Sequence, residues 1–166
     1  MNTFQIDKFL KTNFHTSKYF LGVFACDTLP TRIPKVNKHL LLICNTDKIS
    51  EPGEHWIAIH FSPDNIATYF DSFGMYPQNA YIVKFLKTNA TKVTFNSKMI
   101  QSVFSNYCGH FCALFLYFKV KGKSLNEFVK FFKHGNLKQN DKIVQVLIDK
   151  IYCKYDTVKP ICKTIL

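Results

Sequence analysis

An α+β fold is what this sequence predicts, with a central, mostly antiparallel sheet and helices around it. Two observations carry the expectation. Short apolar runs bounded by Pro, Gly and Asx residues are grouped in the middle of the chain, between residues 39 and 95, which is the length and punctuation of strands. Helical patterns flank them at both ends.

Taken in order, residues Thr3 to Phe14 read as a short helix, with Phe4, Phe9 and Leu10 spaced along one side and Asn2 or Thr3 available as cap. A loop marked by Pro30 and Pro34 runs from Cys26 to Lys38. His39 to Asn45 is an apolar run short enough for a buried strand, followed by a polar loop with Pro52 and Gly53. His55 to Phe61 and Ile66 to Asp71 are the next strands, and the Ser62-Pro63-Asp64-Asn65 turn between them predicts a hairpin. Asn79 to Lys87 reads as a helix and Thr91 to Phe95 as a short strand. From Cys108 to about Lys119 the chain is continuously apolar, as a fully buried helix would be, with Ser105 or Asn106 placed to cap it. Ser124 to His134 opens on a capping box, Ser124-x-x-Glu127, and has Gly135 just beyond it. Asp141 to Lys154 repeats its apolar residues with a 3.6-residue period.

Length and composition set outer limits. At 166 residues and 47% hydrophobic, the chain fits a single domain, 1–166, able to build a core without staples. Its 16% aromatic content is far from the composition of disordered chains. No run of uncharged apolar residues is long enough for a spanning helix. Met1 to Phe20 mixes polar and charged residues with apolar ones, unlike a secretory signal. The expected location is therefore inside a cell or inside a particle assembled there, and the expected state of the six cysteines is the free thiol. The net charge is +11, carried almost wholly by lysine, since Arg32 is the only arginine. Lysine suits phosphate backbones but lacks the fork that reads bases, so sequence-independent contact with nucleic acid is one expectation, set against a merely solvated surface. Cys108, His110 and Cys112 crowd three possible metal ligands into five residues, but no second ligand pair accompanies them, so no metal is expected.

One constellation could do chemistry. A thiol at the start of a helix, as Cys108 is predicted to be, is stabilised as thiolate by the helix dipole and free N–H groups. Gly109 behind it would let a substrate backbone come close. The ordinary alternative is a buried structural cysteine, and that is the better reading for Cys112, one turn further on. His55 opens a strand, so its ring can sit at the rim of the sheet as a general base. If the hairpin closes with partners summing to 126, Asp71 lies directly opposite and accepts from Nδ1–H, fixing the tautomer. A one-residue slip would place the two on opposite faces. Gln101 is a candidate donor to a developing oxyanion together with the Cys108 N–H, although the residues alone do not choose it over Asn106 or Ser105. Trp56 is either a flat wall of a narrow substrate channel or ordinary core.

The combination Gly53-Glu54-His55-Trp56, then Tyr69-Phe70-Asp71-Ser72-Phe73-Gly74, then Gln101-x6-Cys108-Gly109-x-Phe111-Cys112, resembles the adenovirus protease (adenain) family. Tyr19-Phe20-Leu21-Gly22 also looks similar, and the likeness covers most of residues 18 to 118. It is closest in flavour to the adenain-like proteases of Maverick/Polinton elements and related DNA viruses. The resemblance implies the cysteine-protease fold shared with SUMO-deconjugating enzymes, with the Cys108 helix packed on the sheet. It also implies Cys108 as nucleophile, His55 as base, Asp71 as orienting acid and Gln101 as oxyanion donor. Substrates would be capsid or core precursors cut at Gly-containing sites, with Trp56 and Gly109 against the substrate. A monomer working in the virion or the host-cell interior is the implied setting.

Two departures from the family limit what carries over. The acid is Asp71, where adenain has Glu. No cysteine lies between Asp71 and Gln101, so a peptide activator linked there by a disulfide is not expected. DNA or a non-covalent peptide remains a candidate activator. If activation is needed, His55 and Cys108 are expected to sit too far apart for a hydrogen bond in the inactive form. Two other classes stay open: an isopeptidase that removes a ubiquitin-like modifier, and a non-catalytic basic DNA-packaging protein.

Overall fold

The computed structural model describes residues 1–155; the end of the 1–166 domain and Cys162 lie outside the described residues. The chain runs α1 (Thr3–Thr12), β1 (Phe20–Ala25), a 3-10 turn (Cys26–Thr28), β2 (Leu40–Asn45), β3 (Trp56–Phe61), β4 (Ile66–Phe70), α2 (Ala80–Asn89), β5 (Lys92–Phe95), α3 (Cys108–Val120), α4 (Leu125–Phe131) and α5 (Leu137–Tyr155). The α+β class holds. The five strands lie in the order β1-β2-β3-β4-β5. The inner pairings, β2 with β3 and β3 with β4, are antiparallel, and the outer two are parallel, so the sheet is mixed. β1 is the strand that periodicity did not show. Gly22 sits at φ +146° and the β1–β2 register shifts between Phe20 and Gly22, so alternation is broken where it would have been read.

Local chemistry explains most boundaries. Asn2 accepts from the Gln5 N–H while the Gln5 side chain accepts from the Asn2 N–H, the reciprocal box that starts α1. Ser124 and Glu127 repeat this at α4. That helix stops at Phe131, earlier than His134. At α3 the expected caps are not used: the N-cap is Tyr107, and no side chain caps the helix. Its first-turn N–H groups are thus not spent on Ser105 or Asn106.

The sheet is covered on both faces. On one, α1, α3, α4 and α5 pack Ile6, Phe9, Phe111, Phe115, Phe128 and Ile148 against Leu41, Ile43, Ala58 and Phe70. Phe70 stacks on Phe115 at 4.6 Å, and both meet Phe128 edge-on. On the other face, Ile82, Phe85 and Leu86 of α2 meet Leu42, Ile57, Ile59 and Phe61. α3 lies at the centre, with eight buried residues, which is why its sequence is apolar all round. No helix among the described residues is long and apolar enough to cross a membrane. Cys26, Cys44, Cys108 and Cys112 are free thiols; Cys153 departs from the expectation and is disulfide-bonded.

Candidate active site

The hairpin register differs from the expected one by two residues. Ala58 pairs with Phe70 and Phe61 with Ala67, so partner numbers add to 128 and not 126. A shift of two keeps every side chain on its face. His55 and Asp71 therefore stay on one side, as diagonal neighbours just beyond the last paired residues. Their side chains close the gap: His55 Nε2 lies 3.0 Å from Asp71 Oδ1. The nitrogen is the opposite of the one expected. Asp71 takes Nε2, which leaves Nδ1 as the ring nitrogen for the thiol.

Asp71 is held from all sides. Its Oδ1 also accepts from the Phe73 N–H at 2.7 Å. Its main-chain N–H donates to Asn96 Oδ1 at 3.0 Å, and its carbonyl accepts from Asn96 Nδ2 at 2.6 Å. Asn96, buried just past β5, thus clamps the exit of β4. Sequence reading missed it; an Asn directly after a short strand carries no signal that it faces a carboxylate. The turn after Asp71 needs Gly74, where φ is +73° and a Cβ would come within 2.6 Å of the Lys98 backbone.

Cys108 is the first residue of α3, and its thiol and the His55 ring act on each other's proton affinity. Burial works to raise the Cys108 pKa. The His55 hydrogen bond, the Trp56 N–H, the His55 charge and the Gly109 N–H outweigh it, and the thiol lies below its ordinary value. For His55, burial works to lower the pKa, while hydrogen bonds and charge from Asp71 and Cys108 raise it to about 9. The arrangement favours a thiolate–imidazolium pair. By contrast, burial pushes Cys112 well up, with the charges of Cys108, Asp71 and Cys44 adding to it. Among the described residues no group of three or more His, Cys, Asp or Glu could hold a metal.

The other expected site residues fall less simply. Gln101 has no exposed surface. Its Oε1 accepts from Ser72 Oγ at 2.6 Å and its Nε2 donates to the Ser105 carbonyl at 2.8 Å. The amide nitrogen thus faces the segment leading into Cys108, but its stronger hydrogen bond is spent. Asn106 is exposed and lines the cleft with Cys108. Gly109 is a correction. A Cβ there would meet Ile6 Cδ1 at 3.0 Å and the Met1 carbonyl at 3.1 Å, so this glycine lets α1 pack on α3 and does not open space for substrate. Trp56 packs against the core and lines the cleft. That cleft, about 610 Å³, runs from Cys108 and Trp56 past Val23–Ala25 to Ile49, Glu51 and Glu54.

A thiol at a helix start, with an imidazole and a carboxylate close by and an open cleft beside it, is the kind of arrangement that thiol-dependent acyl transfer uses. Residues 20–145 match the adenovirus endoprotease family, and the chain belongs to it. It is 30% identical over 135 residues to a protease of Bovine adenovirus 4, covering 72% of this chain and 66% of that protein. It is 32% identical over 121 residues to a protease of Bovine adenovirus 7, covering 63% and 58%. The chain thus spans about three-fifths of the length of these relatives. Among solved structures it resembles a protease of ASFV, with a TM-score of 0.62 at 14% identity over 87% of this chain and 65% of that one. It also resembles the SUMO protease Ulp1, at 0.53 and 13% identity over 91% and 79%. At those identities the likeness is one of fold.

Proposed function

We propose that this chain is a cysteine endopeptidase of the adenain type, which processes viral or transposon capsid or core precursors at Gly-containing sites. The observation that carries the reading is the Asp71–His55 hydrogen bond, with Cys108 at the start of α3 coupled to the same imidazole. The Cys108 thiolate attacks the scissile carbonyl carbon, and the carbonyl electrons move onto oxygen. The Cys108 N–H at the side-chain-free helix start receives that charge, while Gln101, buried beneath, holds the Ser105 carbonyl of the segment that leads into Cys108. The His55 imidazolium protonates the leaving amine, the C–N bond breaks, and a thioester remains. His55, now neutral, takes a proton from water, whose oxygen attacks the thioester and releases acid and thiolate. Asp71 holds the ring by Nε2 throughout, so that Nδ1 carries the proton traffic.

Trp56 beside Cys108 narrows the cleft, which suits small residues next to the scissile bond. The lysine-rich surface suits duplex DNA as an activator, and the working place is the virion or the host-cell interior as a monomer. The test is cleavage of a library of Gly-containing peptides by the wild type and by Cys108→Ala, with and without duplex DNA. Cleavage by the wild type alone supports the reading. Equal activity in Cys108→Ala overturns it. Cleavage of a folded modifier conjugate but of no short peptide replaces it with an isopeptidase.

A further inference from the structure

Cys112 does more than fill the core. β4 ends at Phe70, opposite Ala58, so Trp56 at the start of β3 has no strand partner on that side. Its main-chain groups need other partners, because an unpaired buried peptide group is costly. α3 supplies them from two successive turns. The Cys112 thiol donates to the Trp56 carbonyl at 3.1 Å, and the Trp56 N–H is among the groups that lower the Cys108 pKa. Cys108 and Cys112 stand four residues apart and so share one face of the helix. Trp56 directly follows His55, so whatever fixes this peptide also fixes the base of the imidazole.

We propose that Cys112 is a positioning residue for the chemistry at Cys108: by donating to the Trp56 carbonyl it pins the first peptide of β3 to α3 and keeps the Trp56 N–H and the His55 ring at the nucleophile. The proposal rests on the reading of Cys108 as nucleophile. Cys112 itself touches no substrate. It is fully buried, and its thiol stays protonated, as a donor must.

The test compares Cys112→Ala, which removes the donor, with Cys112→Ser, which keeps one. Two readouts are taken: the pH dependence of iodoacetamide alkylation at Cys108, with Cys108→Ala as blank, and kcat and KM on a cleaved peptide. The expected result for Cys112→Ala is an upward shift of the alkylation midpoint and a loss of about tenfold in kcat, as a displaced reacting group produces. KM should stay within about twofold, since the change leaves the substrate cleft intact. Cys112→Ser should recover most of both losses. An unchanged alkylation profile in Cys112→Ala overturns the proposal. So does loss of the native near-ultraviolet circular dichroism in that variant, which would make the thiol a packing element only. If Cys108→Ala retains cleavage and alkylation, the nucleophile reading fails. If it loses both while Cys112→Ala matches the wild type, the positioning role alone fails.

Discussion

The two sides of the site are built differently. On the acid side, Asp71 and Asn96 are buried and make five hydrogen bonds at or below 3.3 Å between themselves, His55, Phe73 and Lys98. The next residue, Ser72, ties on through its side chain to Gln101 and through its carbonyl to the N–H groups of Ile100 and Gln101. Asn140 and Asp141 of α5 then fasten the same segment through the Ile100 carbonyl and the Ser102 N–H. On the cleft side, residues 48–54 are exposed. They are held by main-chain bonds to Asp27, Asp47 and Glu51 at the surface. Proton transfer needs fixed donors and acceptors, and a cross-braced buried network supplies them. Substrate entry needs a surface that adapts, and an exposed loop supplies that. The difference predicts where substitutions act: turnover on the acid side, substrate affinity on the cleft side.

The largest expected effect breaks the acid side at its carboxylate. Asp71→Asn keeps the shape but no longer stabilises the imidazolium, and kcat should fall by about 10³-fold. Asp71 is also among the causes that raise His55 to about 9. In the wild type, kcat/KM against pH should therefore be a bell whose falling limb lies near 9. In Asp71→Asn that limb should move to lower pH. An unmoved limb in a folded variant would mean that the ring is oriented by something other than Asp71. Asn96→Ala keeps the carboxylate but releases its backbone, and should cost up to about 10²-fold in kcat.

A second, smaller effect concerns stability and lies away from the site. His60 is buried in mid-strand with its Nδ1 unpartnered and its Nε2 2.9 Å from His39 Nδ1. Burial first, then the charges of Lys119 and His39, lowers its pKa to about 3. The unfolded chain binds this proton near pH 6.5, whereas the folded chain resists it down to about 3. The contribution is complete above about pH 6.5 and is lost as the pH falls toward 3, at up to about 1.4 kcal/mol per pH unit. Thermal melts of the wild type should drop across that window, and those of His60→Gln should drop less. Parallel curves would remove His60 from the account.

How much of this was legible follows from the range of the interactions. Strands β2, β3 and β4 and helix α3 were legible because their apolar runs are short, bounded by turn residues and locally consistent. His55, Asp71 and Cys108 were legible because each ends or begins such an element. The two-residue register offset was not, since the Ser62–Asn65 turn allows either closure and both keep the same faces buried. Nor was the choice of Nε2, which depends on Asp71 meeting the ring diagonally. Gln101 shows a subtler limit. The family resemblance assigns it to the oxyanion, while its hydrogen bonds to Ser72 and Ser105 depend on contacts 29 and 4 residues away. Asn96 was illegible for the same reason, since its role exists only once distant segments have been brought together, whereas β1 was hidden by the broken alternation around Gly22.

The smallest effect tests the cleft side. Glu51 and Glu54 line the cleft of a chain that is otherwise strongly basic, and Lys48 lines it with them. The Glu54 side chain is exposed, so its charge acts through water and is screened by salt over about 8 Å at physiological ionic strength. Glu54→Gln should leave kcat unchanged and alter KM by no more than about threefold, the scale of an exposed charge pair. The change should appear with peptides carrying a lysine on the acyl side of the scissile bond and vanish with neutral ones. It should also fade as salt is raised. A fall in kcat with a neutral peptide would break the division between the two sides, because it would place Glu54 in the same network as Asp71, although 16 residues of chain and the His55 ring separate Asp71 from the β3 end of the cleft loop.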